Sequence, residues 1–279
     1  TKARALASKM VAEITPHQAL TKVLFTLGGA DANENAIKLA RGYTGRHKIL
    51  TRYRSYHGAT AGAMAATGDP RRVVWEPNLM TGIVHFLDPY RYRSTFHRTN
   101  PGVSEADFTQ DYLNHLEEII QYEGPQTIAA ILMESVTGTN GIIIPPEGYM
   151  QGVRALCDKY GILMVADEVM AGFGRTGEWF AVNHWNVVPD LLIMAKGLTS
   201  AYVPLGAVGM KQKIAEGLAQ IETEPRIMQR FHKPSRAVLV ATPSLAAELG
   251  ARLIPVGDAF LRADTDPRWG YQPDGKFDP

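Results

Sequence analysis

A single cysteine in 279 residues, Cys157, excludes an internal disulfide framework and fits a reducing compartment, so a cytoplasmic protein is expected. Charge of one sign is missing too. The 29 lysines and arginines against 28 aspartates and glutamates leave a formal charge of +1, with no basic stripe for nucleic acid. No apolar run is long enough to span a bilayer, which argues against a membrane protein. The eight histidines fall without H-x-H or H-x-x-E-H spacing, so no metal site is expected. Thr1 opens the chain with neither a methionine nor a signal-like apolar region, and the gene is expected to begin upstream. Small molecules remain as the favoured partners.

What is present reads as a globular α/β protein. Hydrophobic residues make up 45% of the chain and charged ones 20%, and the length suits one large domain or two ordinary ones. From 23 to 209, short β-rich runs alternate with amphipathic helices, the pattern of a mostly parallel open sheet flanked by helices. Strands are expected at 23–27, 48–52, 83–87, 128–133, 162–166, 191–194 and 205–210. One helix carries Ala32, Ala36, Leu39, Ala40 and Tyr43 on a single stripe. Another carries Tyr149, Val153, Leu156 and Tyr160 and ends at Gly161. Cys157 falls on the inner face of this second helix and reads as a core thiol. Ser104 is the expected N-cap of a third, running through Leu113, Leu116 and Ile120. After about residue 213 the pattern breaks, with prolines spaced among arginines and aspartates and only 244–253 helix-like. The expected division is therefore 1–213 and an unassigned tail, 214–279.

Chemistry concentrates where the apolar runs end. Asp167 follows the run at 162–166 and Lys196 follows that at 191–195, and ligands bind at the carboxyl ends of strands in open α/β sheets. A carboxylate beside a pyridine nitrogen keeps it protonated; alternatively, Asp167 caps a loop or binds Arg175. Glu168 faces the other way. Lys196 suits a Schiff base and proton transfer, or is a solvated charge. Gly28-Gly29-Ala30-Asp31 opens a helix whose N–H groups suit a phosphate, or is an ordinary tight turn. Tyr56-His57-Gly58 offers an aromatic face for a planar ring, or a rim aromatic and a turn histidine. Gly172-Phe173-Gly174-Arg175-Thr176-Gly177 matches G-x-G-x-x-G, but residues 167–171 separate it from the strand and Trp179-Phe180 opens no amphipathic helix. It reads as a glycine-rich loop, and Asp190 precedes a strand where a ribose-binding acid would end one.

Taken together, Gly29-Ala30, Tyr56-His57-Gly58, Glu134, Asp167-Glu168-Val169, the glycine-rich loop and Ala195-Lys196-Gly197 resemble the class III aminotransferases in order and spacing. The resemblance covers about 1–210. It implies the large domain of a fold type I pyridoxal-phosphate enzyme. It also implies that Gly29 and Ala30 hold the cofactor phosphate, that Tyr56 and Val169 flank the ring with His57 beside Tyr56, and that Asp167 pairs with the pyridine nitrogen. Lys196 would form the Schiff base, and Glu134 would lie near the substrate. The family is dimeric, so a homodimer is implied. Met170 stands where members using 2-oxoglutarate often have glutamine. With Glu134-Ser135 and the segment 52–57, this resembles the branch moving amino groups from ω-amino acids, taurine or amines to pyruvate. The family's small domain and its threonine and C-terminal arginine segments are not recognisable, so a partial chain is expected, as a fragment or with a tail from a shifted reading frame. The alternatives are an aminomutase or racemase on the same cofactor, a non-catalytic remnant, or, more distantly, a nicotinamide oxidoreductase.

Overall fold

The computed structural model of the protein describes residues 2–100 and 102–222. The helix-like stretch 244–253, and all of the tail beyond 222, lies outside the described residues. Seven strands form one sheet: β1 (Lys22–Thr26), β2 (Lys48–Arg52), β3 (Ile83–Phe86), β4 (Ile128–Glu134), β5 (Leu163–Asp167), β6 (Leu191–Met194) and β7 (Gly206–Met210). Their order is β1-β7-β6-β5-β4-β2-β3. The five central and edge strands from β6 to β3 run parallel, whereas β7 is antiparallel to both β6 and β1. The largely parallel sheet expected from the sequence is present. The reversal of β7 left no mark in the pattern, because an apolar run carries no direction.

Helices cover both faces. On one side lie α2 (Gly29–Thr44), α3 (Ala61–Ala66) and α6 (Gln212–Glu222); on the other lie α1 (Lys2–Ile14), α4 (Glu105–Glu123) and α5 (Tyr149–Tyr160). Strand parity sorts the core. Leu163 and Val165 of β5 pack with Ala32, Ala36 and Ala40 of α2, while Met164 and Ala166 pack with the layer holding Phe108, Leu116 and Val153. The Ser104 side chain caps α4 by accepting from the Asp107 amide at 3.1 Å, and Gly161 ends α5 in the left-handed conformation. Cys157 is fully buried, and burial pushes its thiol up to about 12, so it behaves as a small apolar side chain. α6 carries helical structure past residue 213, packing Leu218 near Gly42 of α2. No described helix is long and apolar enough to cross a membrane.

Asp190, at the entrance to β6, is a structural hub. It is 2% exposed and accepts from Arg154 Nη1 at 2.7 Å, Lys211 Nζ at 2.8 Å and the Met164 amide at 2.9 Å. Burial alone would raise its pKa, but Arg154, Lys211 and the Met164 amide outweigh burial and hold the carboxyl below the ordinary range. The folded state therefore releases this proton more readily than the unfolded chain, and the stabilisation is complete above the ordinary carboxylate range. It is lost as pH falls through the lowered value. Asp190→Asn is expected to cost about 3 kcal/mol at pH 7 by stranding Arg154 and Lys211. Denaturant melts should show the deficit shrinking below about pH 4.

Candidate functional site

A cavity of about 440 Å3 opens at the carboxyl ends of β4, β5 and β6, beneath the amino end of α2. Gly29, Ala30, Tyr56, His57, Glu134, Asp167, Val169 and Lys196 all line it. These eight positions are far apart in sequence, and the sheet topology brings them to one edge, where Glu134 and Asp167 are directly paired in register. The same parity that sends Leu163 and Val165 towards α2 sends Asp167 there too, and it sends Glu168 to the opposite face.

Asp167 is 3% exposed, and every contact it makes fixes its orientation. His57 Nδ1–H donates to Oδ2 at 2.7 Å, Asn33 Nδ2 donates to the same oxygen at 3.0 Å, and the Val169 amide donates to Oδ1 at 3.0 Å. Of the two alternatives, the loop cap is present in the Val169 amide bond, whereas no ion pair or hydrogen bond joins Asp167 to Arg175 among the described residues. His57 is itself held, its amide donating to Thr67 Oγ1 at 2.9 Å and its Nε2 lying 3.3 Å from Thr51 Oγ1. Glu134 is 4% exposed and accepts from the Tyr56 amide at 2.9 Å and the Gly138 amide at 2.7 Å, so it anchors the loop that carries the aromatic ring. Burial is the main force raising its carboxyl above the ordinary range; His57 opposes this and Asp167 adds to it.

Two glycines serve close packing within the protein. A Cβ on Gly58, whose φ is +137°, would lie 2.6 Å from Ala30 Cβ, so this glycine lets the Tyr56 loop close on the α2 amino end. A Cβ on Gly197 would lie 2.6 Å from Phe173 Cβ, so Phe173 already fills that space. Phe173 belongs to the glycine-rich loop, which forms turns and opens no helix, as its sequence context indicates. The loop presses on the residue after Lys196, and Lys196 itself has a φ of +42°, an uncommon conformation for a residue with a side chain. Lys196 is exposed to the cavity.

Asn33 was not among the expected site residues. It is fully buried one turn into α2, also donates to the Gly29 carbonyl at 3.0 Å, and keeps Oδ1 without a hydrogen-bond partner among the described residues. The available signal was a polar residue four positions after Gly29 on a helix with an otherwise alanine-rich inner stripe. Arg71 was missed as well; its guanidinium lies 4.2 Å over the Tyr56 ring and pairs with Asp69.

Glu168 is fully buried on the far side, accepting from the Ala181 amide at 3.0 Å and the Val182 amide at 2.9 Å. Burial raises its carboxyl to about 7, despite those amides. The folded state holds this proton more tightly than the unfolded chain, so its contribution to stability is fully present below about pH 4.5 and is lost as pH rises through about 7. Relative to Glu168→Gln, the wild-type chain is expected to lose at most about 3 kcal/mol of stability over that window and to change little above pH 8. Melts across the pH series check this.

The comparisons with known proteins agree with this arrangement. Residues 1–225 match the family model "Aminotransferase class-III". An aminotransferase of Bacillus subtilis, YhxA, is 42% identical over 200 residues, covering 70% of this chain and 42% of that protein. The taurine–pyruvate aminotransferase of Bilophila wadsworthia is 38% identical over 202 residues, covering 70% and 43%. The crystal structure of a taurine:2-oxoglutarate aminotransferase from Bifidobacterium kashiwanohense, in complex with PLP and glutamate, superposes with a TM-score of 0.73 at 53% identity. That match covers 77% of this chain and 48% of that one. The chain thus spans less than half the length of these relatives. With the model matching four-fifths of its residues, the chain belongs to the class III aminotransferase family.

Proposed function

We infer that the protein is a pyridoxal-phosphate-dependent aminotransferase that moves an amino group from an amine or ω-amino acid to a 2-oxo acid. The observation that carries this reading is the fixed, buried Asp167 carboxylate sharing one cavity with the Lys196 amine. The residues fit the cofactor. A fixed carboxylate acceptor stands ready for a ring nitrogen, and an aromatic and a branched aliphatic side chain, Tyr56 and Val169, line the same cavity. The amino end of α2 offers backbone N–H groups without intrahelical acceptors.

In this reading, Gly29 and Ala30 would hold the phosphate, with Asn33 and His57 keeping Asp167 from rotating away from the ring nitrogen. Asp167 would keep that nitrogen protonated by favouring its cationic form. Tyr56 and Val169 would flank the ring. When bound, pyridoxal phosphate supplies an electron sink for the carbon that bears the substrate amine. Lys196 would supply the amine that holds the cofactor aldehyde and, when free, would be the group that takes up and returns a proton at the substrate carbon. Glu134 fixes the Tyr56 loop at the substrate side.

Met170, which lines the cavity, supports an ω-amino acid donor with pyruvate as acceptor, as do the taurine–pyruvate relatives. The 53% identity with the taurine:2-oxoglutarate enzyme supports 2-oxoglutarate as the competing acceptor. A homodimer is part of the proposal, favoured by exposed apolar residues near the cavity mouth, Leu27 and Val203.

Incubation with pyridoxal phosphate, taurine or β-alanine, and each oxo acid is expected to yield alanine from pyruvate faster than glutamate from 2-oxoglutarate. Lys196→Ala is expected to reduce transfer by about three orders of magnitude or more. Isomerisation of the donor without an oxo acid, or transfer unaffected by Lys196→Ala, would contradict the proposal.

A further inference from the structure

A second recess, of about 240 Å3, lies at the carboxyl ends of β2 and β3 and shares no lining residue with the cavity that contains Lys196. Tyr53, Tyr90 and Tyr112 wall it, and Arg54, Asp88 and Arg93 line it. Asp88 is 6% exposed. Its Oδ2 accepts the Arg54 amide at 2.8 Å, whereas Oδ1 has no hydrogen-bond partner among the described residues, with Arg52 Nε standing off at 3.8 Å. Arg52 is fully buried and leaves Nε and Nη1 unpartnered, and the buried Tyr149 hydroxyl is also unpartnered among the described residues.

The arginines that reach the recess are equally unmatched. Neither the Arg54 nor the Arg93 guanidinium makes an ion pair among the described residues; each lies over a tyrosine ring, Tyr90 at 5.0 Å and Tyr92 at 5.9 Å. Asp69, also in the wall, is already matched by Arg71. Two lining cations, the half-buried Arg54 and the exposed Arg93, together with the buried Arg52 at 3.8 Å from Asp88, therefore stand against one otherwise unmatched carboxylate, Asp88, a surplus of two positive charges. The buried Arg52 and the half-buried Arg54 are costly to leave without counter-charge, Arg93 adds an accessible guanidinium at the rim, and guanidinium forks match carboxylates geometrically. The volume equals that of roughly eight waters, and walls of three tyrosines suit an organic body better than a bare inorganic ion.

The geometry points to a binding site for a small dicarboxylate in this recess, separate from the cavity that contains Lys196. Arg54 and Arg93 take the carboxylates, and the tyrosine walls take the carbon chain. This inference does not depend on the proposed transamination, and either can fail alone.

Calorimetric titration of the chain with succinate, and in parallel with inorganic phosphate, at constant ionic strength tests it. One saturable succinate site is expected, weakened roughly tenfold or more by Arg54→Met combined with Arg93→Met and unchanged by Lys196→Ala. Both arginines are at least partly exposed, so the double variant is expected to keep the wild-type melting temperature, which verifies its fold. No saturable binding, or binding indifferent to the two arginines, would overturn the site. Tighter binding of phosphate than of succinate would overturn its assignment to an organic dianion.

Discussion

The buried Asp167 carboxylate, clamped by His57, Asn33 and the Val169 amide, is the interaction on which the rest of the site depends. A carboxylate taken out of water is costly unless hydrogen bonds replace its hydration. Here three donors come from three separate parts of the chain, so the stabilisation exists only when α2, the Tyr56-His57 loop and the end of β5 have all assembled. The price of burying this charge is therefore also what fixes the cavity's shape. Gly58 allows the close approach, since any side chain there would collide with Ala30.

The same logic extends outwards through the buried acids. Glu134 holds the Tyr56 loop, Glu168 holds the Ala181–Trp185 turn on the opposite face, and Asp190 ties α5 and the end of β7 to the start of β6. Each sits at or near a strand end and trades solvation for backbone amides or cations. Parity decides their tasks: Asp167 and Glu134 face α2 and the cavity, and Glu168, adjacent to Asp167, serves the scaffold. A single strand end thus supplies one acid to the cavity and another to the frame.

Much of this was legible in the sequence because strand-end chemistry is local. The run at 162–166 announced a buried strand, and period-two alternation then placed Asp167 and Glu168 on opposite faces. The run at 191–195 placed Lys196 at the same edge. The strand boundary itself moved by one residue, since Asp167 is the last residue of β5, held in the ladder by its pairing with Glu134. Asn33 was only faintly legible: its place on the inner stripe of α2 marks a buried amide, but the partner that gives it a role lies 134 positions away. The neighbours of Gly58 and Gly197 were not legible for a related reason, because a glycine signals close approach without saying what approaches. The direction of β7 also escaped the pattern, being set by pairing with β1 and β6.

The central claim is that Asp167 and Lys196 belong to one pyridoxal-phosphate site. Borohydride reduction of the chain with bound pyridoxal phosphate, followed by peptide mass mapping, tests it most directly. The account expects a single pyridoxyl adduct on Lys196, sharply reduced in Asp167→Ala. A label spread over surface lysines, or one on Lys196 that is indifferent to Asp167, would contradict it.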